Sequence, residues 1–129
     1  MPPLPRRTLT KSNAQFQRAV KKLPLGVSST FRYWGDDRTI YVHHGKGGRT
    51  WDIDGNEYVD LVSSLGAVAL GYGDEEIEEA VIRQLRDGVT LSLSHPVEAE
   101  VAERMVDLIP CAEMVRFAKN GTDATSAAI

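Results

Sequence analysis

The hydrophobic pattern of this chain changes its period near residue 71, and that change limits the fold more than any other feature. Upstream, short β-branched and aromatic runs are separated by Gly and Asp-Gly turns, which is typical of an antiparallel sheet. Downstream, apolar residues recur at helical spacing. The length of 129 residues predicts one domain or a piece of a larger one, in which an antiparallel meander precedes residue 71 and helical segments follow it.

Residues 39–62 predict a three-stranded meander. The first run, TIYVHH, is rich in β-branched and aromatic residues, and GKGG provides the turn to the second run, RTWDI. The tight turn DGN then leads to the third run, EYVDLV. A helix is a weak alternative here, because glycines interrupt the pattern too often.

The residues before the meander predict one short helix. Residues 13–22 place Phe16, Ala19 and Val20 on one side of a helix, and the proline that follows at position 24 ends it. Residues 1–12 are rich in proline and polar side chains, and we predict that they are disordered.

The second part predicts two helices, a strand and the start of a third helix. Residues 74–87 have an aspartate as N-cap, an acidic first turn and apolar residues at every fourth position. A further helix begins at Pro96, with His95 as a possible cap, and ends before a proline at position 110. Residues 113–118, EMVRFA, predict a buried strand, and the residues from Asn120 onward open the third helix.

Composition and charge narrow the class of protein. With one cysteine and three histidines, the chain has neither a disulfide framework nor the ligand spacing of a zinc site. It lacks the apolar core of a secretory signal and any run able to cross a membrane, so we expect a cytoplasmic location. Residues 1–50 hold ten Lys and Arg against two Asp and Glu. No nucleic-acid-binding motif accompanies these cations, and packing against an acidic surface is favoured over binding to nucleic acid or membrane.

The strongest local signal for chemistry is the sequence Asn120-Gly121-Thr122 between the predicted strand and the third helix. The free N–H groups at a helix N-terminus attract anions, a glycine allows a phosphate to approach the backbone, and a threonine hydroxyl adds a donor. The alternative is that Asn120 or Thr122 is only an N-cap, and local evidence alone favours that alternative.

Other polar residues have simpler explanations. His43 and His44 are expected to be exposed beside a turn, and Cys111 is expected to be an inert thiol. Asp52, Asp54 and Asp60 are better explained by turn chemistry and strand ends than by a metal site or a catalytic carboxylate pair.

Three segments in the right order resemble one enzyme family. The family is the class III pyridoxal-phosphate-dependent aminotransferases. The segments that are similar to it are, in chain order, PLGVSSTFRYW, WDIDGNEYVDLVSSLGAVALGYGDEEIEEAV and EMVRFAKNGTDAT. The resemblance covers about residues 13–129 and is closest to the branch that contains glutamate-1-semialdehyde 2,1-aminomutase. It implies an α/β fold, the N-terminal part of a fold type I transferase. In that fold, residues 1–70 would form an N-terminal segment with the small antiparallel sheet, and residues 71–129 would begin the large cofactor-binding domain.

The resemblance also implies roles for particular residues. In the family, the Gly-Thr pair after the strand binds the phosphate of pyridoxal phosphate, a role that falls to Gly121 and Thr122, with Asn120 where serine is usual. In the aminomutase branch a serine and an arginine hold the substrate carboxylate, and they match Ser29 and Arg32. Arginine suits this task because its planar fork binds a carboxylate through two hydrogen bonds. The alternative for Arg32 is a surface or interface salt bridge.

The resemblance implies where the chemistry resides and what the substrates are. The lysine that binds the cofactor covalently and the carboxylate that pairs with the pyridine nitrogen lie in the family's later half, so no catalytic residue is expected in this chain, and Lys119 is not that lysine. The substrates would be a small amino donor and a carbonyl acceptor, and the enzyme would be a homodimer. The aminomutase branch carries tryptophan where this chain has Leu65, which favours an aminotransferase with another substrate.

Two further alternatives stay open at this point. The protein is the aminomutase itself, or it is a non-catalytic binding or interaction protein that retains this segment. The third helix lacks a C-terminal cap and the single predicted parallel strand lacks neighbours, so we expect the N-terminal part of a longer enzyme.

Overall fold

The computed structural model describes residues 7–129, and it divides into two compact units, one ending at Arg83 and the other beginning at Gln84. The principal elements, in chain order, are α1 (Thr10–Ala19), β1 (Val42–Lys46), β2 (Arg49–Asp52), β3 (Glu57–Val59), α2 (Glu75–Asp87), α3 (Pro96–Leu108) and α4 (Gly121–Ala127). Short 3-10 turns occur at Pro24–Gly26, Thr30–Arg32 and Ser63–Gly66. No helix in the described part of the chain has both the length and the apolar character needed to cross a bilayer.

The predicted antiparallel meander is confirmed. The strands lie in the order β1-β2-β3, with Gly45 opposite Thr50 and Thr50 opposite Tyr58. The first strand begins later than its run and takes in Gly45 and Lys46 of the predicted turn, while the other two strands are shorter than their runs. The third ends at Val59 because Asp60 turns the chain, its Oδ1 accepting hydrogen bonds from the backbone N–H groups of Val62 (2.8 Å) and Ser63 (3.0 Å).

Helix α1 begins three residues earlier than the predicted start at residue 13 and ends three residues before the predicted end at residue 22. Disorder over residues 1–12 is therefore wrong for positions 10–12, while positions 1–6 lie outside the described residues. The reason is a distant carboxylate: Asp54 accepts hydrogen bonds from the N–H groups of Lys11 (2.7 Å) and Ser12 (2.9 Å). An acidic group at this end satisfies two donors that the helix itself leaves free and suits the helix dipole.

The core of the first unit forms around Phe16, whose side chain is 2% exposed. Its ring stacks on Tyr33 with centroids 6.3 Å apart, and it lies so close to Gly26 that a Cβ there would be 2.9 Å from ring carbons. The hydroxyl of Tyr41 donates a hydrogen bond to the Gly26 carbonyl at 2.9 Å. Of the three predicted apolar positions of α1, Phe16 and Ala19 are buried and Val20 is exposed.

Helices α2 and α3 follow the sequence prediction to within one residue at their starts. His95 caps α3 as expected: its Nδ1 accepts from the N–H of Val97 at 3.2 Å, and Glu98 accepts from the N–H of His95 at 3.0 Å. This reciprocal pair is a capping box, which fixes where the helix begins.

The predicted buried strand at residues 113–118 is wrong. These residues form no ladder, and most of their side chains are exposed, Met114 and Phe117 among them. A strand needs a neighbour to satisfy its backbone groups, and the described residues provide none for this segment.

Candidate functional site

Asn120 is the N-cap of α4. Its extended backbone has φ −142° and ψ 167°, its Oδ1 accepts a hydrogen bond from the N–H of Asp123 at 3.0 Å, and its carbonyl accepts from Ala124 at 3.1 Å. The capping alternative is thus realised by Asn120 rather than by Thr122. Because the cap uses only oxygen atoms of Asn120, the Nδ2 amide group is left as a donor.

The backbone next to this cap is open. A Cβ placed on Gly121 would meet nothing within 4 Å, and both Gly121 and Thr122 are exposed. Their N–H groups belong to the first helical turn, where α-helical geometry supplies no acceptor. An amide, two N–H groups and the Thr122 hydroxyl therefore stand within three consecutive residues, and a phosphate needs donors of this kind. Asp123 adds one carboxylate to the same turn.

Ser29 and Arg32 lie at the two ends of one 3-10 turn in the first unit. Ser29 is extended, with φ −153° and ψ 134°, and its carbonyl accepts a hydrogen bond from the N–H of Arg32 at 2.9 Å. Both residues are exposed. Over residues 7–129, no carboxylate lies within ion-pair distance of the Arg32 guanidinium, so the salt-bridge alternative has no partner in this part of the chain.

The loop after β3 is strained. Ser63, Ser64 and Leu65 have φ values of +48°, +50° and +60°. These three left-handed residues are not glycines, and a glycine follows only at position 66. Such residues cost on the order of 1–2 kcal/mol each and persist only when the surroundings enforce them. The side chain of Leu65 is 78% exposed at the tip of the turn.

Asp60 enforces that loop. Besides its bonds to the backbone of Val62 and Ser63, its Oδ2 accepts a hydrogen bond from the Tyr72 hydroxyl at 2.6 Å. These bonds hold the pKa of Asp60 below its ordinary value, and the bond to Asp60 raises the pKa of Tyr72. Asp60, Ser63 and Tyr72 line a cleft of about 250 Å³ in the first unit. Sequence reasoning missed this strain and this cleft, because positive φ at serine and leucine has no local signature.

Asp52 is occupied by the turn that follows β2. Its Oδ1 accepts from the N–H groups of Asp54 (3.0 Å) and Asn56 (2.8 Å), and its Oδ2 accepts from Asn56 Nδ2 (2.8 Å) and the Tyr58 hydroxyl (2.7 Å). Burial raises the pKa of Asp52, but the hydrogen bonds outweigh burial and hold it below its ordinary value. The turn-chemistry interpretation of Asp52 and Asp60 is confirmed by these contacts. For Asp54 it is wrong, because that carboxylate accepts from the N-terminus of α1 and not from its own turn.

The predicted site residues fall into two groups. Asn120, Gly121 and Thr122 lie together in the second unit, and Ser29, Arg32 and Leu65 lie in the first. Each group has the donors that its predicted ligand needs: hydrogen-bond donors for a phosphate in one, and a guanidinium for a carboxylate in the other.

Comparison with known proteins identifies the family of this chain. Residues 31–129 match the family model described as aminotransferase class-III. The chain is 38% identical over 125 residues to 3-aminobutyryl-CoA aminotransferase of Cloacimonas acidaminovorans, covering 94% of this chain and 30% of that protein. It is 39% identical over 124 residues to glutamate-1-semialdehyde 2,1-aminomutase of Acetivibrio thermocellus, covering 95% of this chain and 29% of that protein.

The fold agrees with solved structures. A structure described as a transaminase with PLP bound superposes with a TM-score of 0.88 at 32% sequence identity, covering 95% of this chain and 29% of that one. The predicted fold type, an N-terminal portion of a PLP-dependent transferase, is confirmed by this likeness. The chain spans about 30% of the length of the relatives it matches.

Proposed function

The chain belongs to the class-III aminotransferase family, and from that premise we propose that it provides cofactor- and substrate-binding residues of a pyridoxal-phosphate-dependent enzyme. That enzyme transfers an amino group between an amino compound and a carbonyl substrate. The observation that carries the proposal is the open N-terminus of α4. Three consecutive residues provide hydrogen-bond donors there, and a Cβ placed on Gly121 would meet no atom within 4 Å. Relatives of this chain carry aminotransferase and aminomutase names, and one solved neighbour is described with PLP bound.

Asn120, Gly121 and Thr122 would hold the cofactor phosphate. The Asn120 amide and the Thr122 hydroxyl donate from side chains, while the Gly121 N–H donates from the backbone with no Cβ in the way. The cofactor, when bound, supplies the electron sink for amino transfer. The task of these three residues is to fix its position by holding the phosphate.

Arg32 would bind an acidic group of the substrate, and Ser29 would add a hydrogen bond. A guanidinium that has no carboxylate partner among residues 7–129 is available for a bidentate contact. We propose small-molecule amino donors and carbonyl acceptors as the partners, rather than nucleic acid or membrane. We further propose a homodimer, because the many exposed apolar side chains need cover. A cytoplasmic location is proposed with it, on the sequence argument given above.

A panel of amino donors and aldehyde acceptors tests this function with the full-length enzyme. Wild type should transfer amino groups. Arg32→Ala should weaken the binding of the transition state for acidic substrates, calculated from the ratio of kcat/KM values, by about 2–5 kcal/mol. The kcat/KM for uncharged substrates should change little. Arg38→Ala is the matched control, because Arg38 is exposed and, among residues 7–129, its guanidinium pairs only with the neighbouring Asp37. An equal loss on all substrates would make the role of Arg32 structural. A full-length protein that neither binds pyridoxal phosphate nor transfers amino groups would support a binding or interaction role instead.

The aminomutase is the second candidate, and the 39% identity to that enzyme favours it. Leu65 argues for a different substrate, because a flexible aliphatic side chain at an exposed, strained position replaces the flat wall of a tryptophan. We expect Leu65→Trp to change the preferred substrate. If wild type converts glutamate-1-semialdehyde best, and Leu65→Trp leaves that preference unchanged, the aminomutase is the better assignment.

A further inference from the structure

The side chains of His43 and His44 converge, which neighbouring residues of a regular strand do not do. Successive side chains of a strand point to opposite faces. Here the Nδ1 atoms of the two rings are 3.2 Å apart. Both residues are exposed on β1, at the edge of the described sheet.

A β-bulge causes the convergence. Val42 lies opposite Asp52 and His44 lies opposite Trp51, so two steps on β1 match one step on β2 and His43 is the extra residue. A bulge of this kind re-aims one side chain and is found at sheet edges. It brings the His43 ring to the same side as that of His44, with the ring planes at 87°.

The distance between the two nitrogens suits a metal ion. Imidazole nitrogens bind first-row divalent metals at 2.0–2.1 Å, which separates two such nitrogens by about 2.9 Å at a right angle and about 3.3 Å at a tetrahedral angle. The observed 3.2 Å lies between these limits. A direct hydrogen bond between the rings is the alternative use of this geometry, and it requires one Nδ1 to carry a proton and the other to lack one.

The second ring is fixed from behind. His44 stacks on Trp51, its cross-strand neighbour, with centroids 4.8 Å apart and ring planes at 5°. Stacking restricts the side-chain rotations of His44, so less conformational freedom remains to be lost when a ligand is bound. One donor is thus held in place by the sheet, and the other is turned towards it by the bulge.

We propose that His43 and His44 form a bidentate surface site for a divalent first-row transition-metal ion. Among the described residues no third histidine, cysteine or carboxylate completes a cluster, and the proposal assigns the remaining coordination positions to water. Imidazole ligands suit nickel, copper and zinc, and for such donors copper binds most strongly. This site is separate from the residues assigned to phosphate and substrate carboxylate, and the proposal stands independently of the enzyme function.

Trp51 allows binding to be measured at the site itself. The experiment uses the full-length protein with Cys111→Ser, because an exposed thiol is a competing ligand type for these metals. It also carries Trp34→Phe, which leaves Trp51 as the one tryptophan of residues 1–129. Ni²⁺ alone is the probe. A paramagnetic ion held on the ring that stacks on Trp51 should quench its fluorescence in a saturable manner. Zn²⁺, which has a filled d shell, should compete with Ni²⁺ and restore the signal.

His43→Gln and His44→Gln should each weaken the saturable quenching by about tenfold or more, because loss of one donor removes the advantage of two linked contacts. His95→Asn is the matched control, since asparagine also caps helices and this histidine lies outside the pair. Circular dichroism of each variant checks that it is folded. Quenching that does not saturate, or that survives either substitution in the pair unchanged, would overturn the proposal.

Discussion

Three aspartates organise the chain between β2 and the strained loop, each through its own set of hydrogen bonds. Asp52 closes the turn after β2, Asp54 reaches the N-terminus of α1, and Asp60 fixes the left-handed residues that follow β3. In each case a carboxylate accepts from backbone N–H groups, the charge-assisted kind of bond that is stronger than a neutral one. Their removal should therefore have local and distinguishable effects.

Asp52→Asn tests the first of these carboxylates. The side chain is 3% exposed, and the new amide would turn donors towards the donors of Asn56 and Tyr58. We expect unfolding of the full-length enzyme, followed by tryptophan fluorescence, to show a loss of about 1–3 kcal/mol at pH 7. Asp37→Asn is the control, because Asp37 is exposed and its one ion pair within the described part of the chain is with Arg38.

The effect of Asp52→Asn should depend on pH with a defined sign. Because the folded-state pKa of Asp52 lies below its ordinary value of 3.8, the wild-type advantage is present above that value. It is lost as the pH falls through the folded-state pKa, where the carboxylate itself becomes protonated. A difference between the two proteins that grows on acidification would contradict this assignment.

Thr122→Ala tests the proposed phosphate contact. Removing the hydroxyl should weaken pyridoxal phosphate binding by about 1.5–3 kcal/mol, because the lost hydrogen bond is to a charged group. Thr122→Ser keeps the hydroxyl and should keep most of the affinity. Cofactor absorbance, titrated in the full-length enzyme freed of cofactor, gives both values, and equal affinity in all three proteins would remove Thr122 from the site.

At the scale of elements, what the sequence could predict depended on whether the signals were local. Helices α2 and α3 carry their own caps and apolar spacing, so their starts were predictable. The start of α1 was not, because Asp54 lies 42 residues after Ser12. The same reasoning failed for residues 113–118, where the apolar run resembles a strand but no described segment pairs with it.

The candidate site divides along the same line. The cap at Asn120 follows from residue type, whereas the phosphate and carboxylate roles came from resemblance to a family and remain predictions. The convergence of His43 and His44 depends on a bulge, and the bend at Ser63–Gly66 depends on Asp60 and Tyr72. Neither the convergence nor the bend can be predicted from the pattern of polar and apolar residues.

Helix α1 should depend on Asp54 as an element. Partial burial raises the pKa of Asp54, but hydrogen bonds from Ser12 and Lys11 outweigh it and hold the pKa low. We expect Asp54→Ala to reduce the hydrogen-exchange protection of α1 amides in the full-length enzyme, because two N–H groups lose their acceptor. Amides of β2 should change much less, and a uniform loss throughout the first unit would show a general rather than a capping role.

At the scale of the whole molecule, the 129-residue chain leaves an unusual amount of apolar surface in water. The exposed apolar side chains of the two helices include Ile77, Val81 and Leu85 of α2 and Val97, Val101 and Leu108 of α3. Outside these helices, the most exposed apolar side chains include Leu61, Leu65, Leu93 and Met114. Monomeric soluble proteins rarely leave extended apolar patches uncovered.

We therefore expect the 129-residue chain, produced by itself, to fold poorly or to associate. Light scattering should report species larger than a monomer, and thermal unfolding should be broad, because few side chains are fully buried. Charge substitutions at Ile77 and Val81 on the exposed side of α2 should reduce association. A monomer that unfolds in one sharp cooperative transition would contradict this expectation.

The bond between Asp54 and α1 also sets an order of events during synthesis. The helix begins at Thr10, yet the acceptor for its second and third amides is translated 42 residues after Ser12. At 5–20 residues per second, a ribosome needs about 2–8 s to cover that interval. During this time the nascent helix has no cap from the sheet. A stalled chain that ends before Asp54 should therefore show a frayed N-terminal end of α1. A chain long enough for Asp54 to reach that helix should show the end protected.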